Sequence, residues 1–117
     1  MKKKIKKLTQ DEIQFLRERF NSLRFENAFD LVYESQIPNT GIVLLDGQIN
    51  LLKRKKIHST IEPGTLLGIT NIINNEPSQL GCKVLGNSEL IMLNKSEILE
   101  ALNDKDPELY AIIKESV

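Results

Sequence analysis

Residues 63–84 read PGTLLGITNIINNEPSQLGCKV, an order of turns and apolar pieces that few folds accommodate. A strand arriving through Ser59 and Ile61 ends at the turn pair Pro63-Gly64. Gly68 opens a short apolar segment, 69–73, which Asn74, Asn75, Glu76 and Pro77 break before another strand begins. The result is a cradle: two strands joined by a tight turn, a short helical piece and a polar breaker.

The flanking pattern is β. Residues 42–45 are apolar, and Asp46-Gly47 is a type I′ hairpin signal. Ile49 and Leu51 alternate with polar residues, and a following strand carries Ile57, Ser59 and Ile61. Between these two strands lies a basic tip, Lys53, Arg54, Lys55 and Lys56. Leu80, Cys82 and Val84 alternate with Gly81 and Lys83 and are expected to face inward, and Gly86-Asn87 turns the chain into a last strand over 89–93. Short strands at this spacing suit a small jelly-roll barrel.

Helices bracket the strands. Thr9, Gln10, Asp11 and Glu12 form a capping box with Leu8 and Ile13 as its hydrophobic staple, and Ile13, Leu16 and Phe20 share one face of a helix ending near Asn21. Asn94 to Glu97 repeats the device, with Leu99 and Leu102 on the apolar side. Asp106-Pro107 starts a third helix whose Leu109, Ile112 and Ile113 face the domain.

In this order the segments resemble the cyclic-nucleotide-binding domain family, the sensor fold of catabolite-activator regulators, cyclic-nucleotide-dependent kinases and gated channels. Residues 63–84 are similar to its phosphate-binding cassette, which reads roughly PG-x-x-x-GE, then seven residues, then PR-[ST]-A. The LRFENAFDLVYESQIPNTGIVLLDGQINLL run (23–52) resembles the family's opening strands, with Asn27 at a position often held by a left-handed glycine, Glu34-Ser35-Gln36 at its Glu-Gly-Asp turn and 44–49 at its LLSGxV hairpin. The resemblance implies a mainly β fold with flanking helices: a double-stranded β-helix, or jelly-roll barrel, with an N-terminal helix and two short C-terminal helices. Its extent and the chain's length both suit one domain over 1–117, and the lysine-rich residues 1–7 are expected to form a flexible basic arm.

The resemblance also implies where a ligand would sit. In the family, the Glu after the cassette glycine holds the ribose 2′-hydroxyl, and the Arg after the proline pairs with the cyclic phosphate. Those positions are Ile69 and Ser78 here, so the cassette is degenerate. The vestigial site comprises Gly68, Ile69, Thr70, Asn71, Ser78 and Gln79, and backbone amides near Gly68 remain as anion donors. No Lys or Arg falls between Lys56 and Lys83, so a replacement charge must come from elsewhere in the fold. Restoring both residues, Ile69→Glu with Ser78→Arg, is expected to improve cyclic-nucleotide binding if the backbone cradle survives.

Composition sets the remaining bounds. The 117 residues carry zero formal net charge, which removes the simplest electrostatic argument for nucleic acid, so no DNA binding is expected. The single Cys82 excludes an internal disulfide and suits a reducing compartment; with no apolar run long enough to span a bilayer, a cytoplasmic, bacterial protein is expected. A lone His58 cannot assemble a metal site of the kind related jelly rolls hold, and Cys82 reads as a small core residue. Thr9, Ser35, Ser96, Asp11 and Glu12 are explained by caps and turns. The expectation is therefore a non-enzyme without metal or cofactor.

Two basic clusters remain. Lys2, Lys3, Lys4, Lys6 and Lys7 belong to the arm, and the 53–56 tip is a candidate docking surface for an acidic protein partner of unknown identity. No aromatic residues interleave with the lysines, which disfavours nucleic acid there. The 117 residues contain no helix-turn-helix after the last helix, so the expectation is a stand-alone regulatory adaptor without normal cAMP or cGMP binding. The alternative is a sensor that binds a small molecule or a nucleotide in a rearranged pocket.

Overall fold

The structure is a computed structural model that describes residues 5–103 and 105–114. The chain runs β1 (Lys6–Lys7), α1 (Gln10–Arg19), β2 (Ser22–Phe25), β3 (Phe29–Val32), β4 (Thr40–Asp46), β5 (Ile49–Lys53), β6 (Lys56–Ile61), β7 (Thr65–Leu67), α2 (Ile69–Asn74), β8 (Gly81–Val84), β9 (Ser88–Asn94), α3 (Lys95–Leu102) and α4 (Pro107–Ile113). All strand pairs are antiparallel, in two sheets of order β1-β7-β4-β9-β2 and β3-β8-β5-β6. The expected jelly roll with flanking helices is present, and among the described residues its strands form two stacked sheets that do not close on each other.

The apolar patterns follow from what covers each face. The five-stranded sheet is covered on both sides, so β4 and β9 read as near-continuous apolar runs. Val43, Leu66, Ile91 and Leu93 pack with Leu16, Ile69, Ile72, Ile98, Leu109 and Ile113 of the four helices. Ile42, Leu44, Leu67 and Leu90, on its other face, meet Val32, Ile49, Leu51, Ile61, Cys82 and Val84 of the four-stranded sheet. That second sheet has only one covered face, and its strands alternate accordingly.

Local signals account for the helices. Both capping boxes form: the Thr9 hydroxyl accepts the Glu12 amide while Glu12 accepts the Thr9 amide, and Asn94 and Glu97 do the same. Asp106 caps α4 by accepting the Leu109 amide, with Pro107 in its first turn. Helix α1 stops at Arg19, two residues short of Asn21, because Phe20 turns to extended backbone.

Three expectations fail. Asp46-Gly47 does not close a hairpin, since β4 pairs with β7 and β9 while β5 pairs with β6 and β8; this turn hands the chain from one sheet to the other. Asn27 is not left-handed; Asn87 is, at φ 59°, where its amide donates to the Glu26 carbonyl. Lys6 and Lys7 are not part of a loose arm, because their backbone pairs with Leu66 and Thr65. The expected arm residues Lys2, Lys3 and Lys4 lie outside the described residues.

Lys6 also ties the two ends of the domain together. Its ammonium donates to Glu12 Oε2 at 2.9 Å and to the Ile112 carbonyl at 2.6 Å, one of the carbonyls near the end of α4. Burial alone would raise the Glu12 carboxyl, but hydrogen bonds from the Thr9 amide and Lys6 outweigh it and hold it below its ordinary value. Lys6→Met is expected to cost about 1–3 kcal/mol at neutral pH. A folded pKa below the unfolded one stabilises the protein above the unfolded value, near 4.3 for Glu, and that stability is lost as pH falls through the folded value. Thermal melts from about pH 7 to 3 should therefore show the gap between wild type and variant narrowing in acid. A gap that widens there would show that Lys6 does not act through Glu12.

Candidate functional site

The cradle is built from the end of β7 onward. Gly68 sits at φ +91°, a conformation that favours glycine, and a Cβ there would lie 3.4 Å from the Thr40 carbonyl oxygen. Helix α2 follows and ends at left-handed Asn75, whose amide donates to the Asn71 and Ile72 carbonyls. The Asn71 side-chain amide donates to the carbonyls of Glu76, at 3.3 Å, and Pro77, at 3.0 Å, and so fixes the polar breaker against the helix.

Ser78 is knitted into the opposite turn. Its amide donates to the Gln36 carbonyl and its own carbonyl accepts the Ser35 amide, both at 2.8 Å. Its hydroxyl donates to the Leu80 carbonyl at 2.6 Å. The Gln36 amide in turn donates to Tyr33, with Ser35 left-handed at φ 71°, so Glu34-Ser35-Gln36 is the tight turn that the sequence signalled.

These segments border a cleft of about 960 Å³ between the two sheets. Its floor is aliphatic and comes from both sheets: Ile42 and Leu67 from one, Val32, Leu51 and Cys82 from the other, none more than 9% exposed. Burial, reinforced by the Asp30 charge, pushes the Cys82 thiol up to about 12, which makes it a core thiol rather than a nucleophile. Polar groups ring the mouth, among them Glu34, Lys53, His58 and Glu76.

Five of the six residues expected at the site line this cleft: Gly68, Thr70, Asn71, Ser78 and Gln79. Ile69 does not. It is fully buried in the helix-side core, where its Cδ1 occupies space over Gly41 beside Ile98. Gly41 makes that seat possible, because a Cβ there would come within 2.6 Å of the Ile69 Cδ1.

The basic tip is a tight turn with Arg54 and Lys55 both left-handed, at φ 53° and 68°, and the Arg54 amide donates to Glu34 Oε1 at 2.6 Å. Of the four tip residues, Lys53 also lines the cleft, which residue order does not reveal. Pairing of β5 with β8, Leu52 opposite Gly81, is what carries it to the cassette. His58 reaches the same wall at an irregularity between β5 and β6, where Leu51 faces Ser59 but Leu52 faces Ile57. Among the described residues no helix is long and apolar enough to cross a membrane.

No family model and no curated protein matches the chain. Solved structures do. A protein of a cyclic-GMP-dependent signalling pathway that regulates bacterial phytopathogenesis superposes with a TM-score of 0.74 at 16% identity, over 93% of this chain and 90% of that one. A putative cyclic nucleotide-binding protein from Geobacter metallireducens gives 0.68 at 13% identity, over 93% and 82%. The catabolite activator protein of Thermus thermophilus gives 0.63 at 14% identity; the match covers 92% of this chain and 54% of the activator. At these identities the likeness is one of architecture, and the chain has the fold of the cyclic-nucleotide-binding domains.

Proposed function

We propose that this domain is a regulatory module of the bacterial cytoplasm that does not respond to cAMP or cGMP and acts, without catalysis, through a protein partner. The burial of Ile69 is the observation that carries this reading. At the position where the resembled family presents a ribose-binding carboxylate, an aliphatic side chain is committed to the core. The second position, Ser78, spends its hydroxyl on the Leu80 carbonyl. Each charge-assisted hydrogen bond is worth about 1.5–3 kcal/mol, so lacking both lowers affinity by roughly two to four powers of ten.

Thermal melts test this directly. At about 1 mM, cAMP and cGMP are expected to move the Tm by less than about 1 °C. A saturable shift at tens of micromolar would overturn the reading.

The exposed tip, Lys53, Arg54, Lys55 and Lys56, supplies a docking surface for an acidic partner. Rim charges set association rate and salt dependence more than stability. Neutralising all four should slow association with a partner isolated from the native cell while leaving the Tm within about 2 °C. An unchanged on-rate at low salt would place the docking surface elsewhere. A second reading, a sensor of some other small molecule, is favoured by one observation, the open cleft with its aliphatic floor.

A further inference from the structure

The cleft carries a cation that its cassette does not supply. Lys53 stands on the wall at the end of β5, is exposed, and enters none of the ion pairs between described residues, which use Lys6, Arg17, Arg19 and Arg24. Below it the floor offers aliphatic surface and one thiol that burial keeps protonated. Two carboxylates share the cleft: Glu34, already accepting the Arg54 amide, and Glu76. One ammonium on the wall, in no ion pair between described residues, beside an apolar floor suits a single negative charge on an apolar body. A second negative charge would meet those two carboxylates.

We infer that the cleft binds a small monoanionic ligand with an apolar body, an acyl or aryl carboxylate, its charged end on Lys53 and its body on Val32, Ile42, Leu51, Leu67 and Cys82. This rests on the reading that the cassette no longer selects cyclic nucleotides, since such a ligand would otherwise compete for the same floor. The volume of about 960 Å³ lies at the upper end of small-molecule sites. Each methylene taken from water to the floor should tighten binding about fourfold.

Calorimetric titration of the wild-type protein with octanoate, hexanoate, octan-1-ol and inorganic phosphate tests the inference, with amide NMR shifts locating the bound ligand. Octanoate is expected to bind about fifteenfold tighter than hexanoate and more tightly than the alcohol, with shifts at the floor residues and none from phosphate. Lys53→Gln should weaken octanoate about five- to tenfold and leave octan-1-ol unchanged, Lys53→Arg should restore it, and Lys55→Gln, which does not line the cleft, should have no effect. Equal binding of octanoate and octan-1-ol, equal losses from the two Gln variants, or shifts confined to the outer surface would each overturn it. A parallel cAMP titration separates the two readings. Tight cAMP binding defeats the cassette reading, whereas failure of octanoate with cAMP also inert defeats only this one.

Discussion

Ile69→Glu, which puts back the residue found in the resembled cassette, is expected to cost about 5 kcal/mol and leave much of the protein unfolded at 37 °C. The side chain at this position has no contact with solvent and is surrounded by Leu, Ile and Val from the helices and the five-stranded sheet. A carboxylate there loses its hydration with no cation to replace it, so it stays protonated well above the usual carboxylate range. A raised folded pKa makes the variant relatively more stable as pH falls, so its deficit should shrink between about pH 7 and 5. Ser78→Arg added to it should not rescue either stability or cyclic-nucleotide binding. Residue order alone leads to the opposite expectation, that the pair improves binding if the backbone cradle survives. Circular dichroism melts of Ile69→Glu and Ile69→Val decide it: Val should cost only about 1 kcal/mol. A Glu variant within about 4 °C of wild type would mean that α2 can turn this side chain into the cleft.

Gly47→Ala should be nearly as damaging, at about 3 kcal/mol and a Tm lower by roughly 10–20 °C. Gly47 sits at φ +93° in the turn that carries the chain between sheets, and it lies directly against Ser88 at the start of β9. An added Cβ would lie 2.7 Å from the Ser88 Cα, a contact with backbone that no rotamer change relieves. Ser88 is itself fixed, fully buried with its hydroxyl donating to the Leu85 carbonyl at 2.7 Å. Removing that side chain as well, in Gly47→Ala with Ser88→Gly, should recover only part of the loss. A single variant that melts within about 4 °C of wild type would show that the turn can move away from β9.

The two variants also mark where residue order informs and where it stops. Helix starts were legible because a cap is local chemistry: Thr9 with Glu12, Asn94 with Glu97 and Asp106 with Pro107 each act within four residues. Part of β4 was legible as an apolar run, and Cys82 and Val84 as an inward-facing pair. Asp46-Gly47 specified a turn but not the strands that leave it, because a dipeptide fixes backbone angles and not pairing partners. Lys6 and Lys7 were lost among lysines, since a two-residue strand has no period to read. The cassette placed five residues on the cleft, but the direction of Ile69 depends on the gap left by Gly41, twenty-eight positions earlier. Lys53 depends on strand register in the same way.

The position of β9 has a consequence for the order in which the molecule can assemble. This strand is the last of the nine described strands to be made, yet it lies inside its sheet, between β4 and β2, with Ser22 opposite Ile91 and Ile42 opposite Met92. Until Ser88–Asn94 has been synthesised, β2 has no neighbour and one side of β4 stays open. The nascent chain must hold the apolar edge of β4 exposed until β9 emerges, and such edges invite pairing with other chains. The four-stranded sheet has no such gap, since β3, β5, β6 and β8 are all complete by Val84. One half of the domain can therefore settle during synthesis, whereas the half that carries the helices must wait for β9 to join β4 to β2.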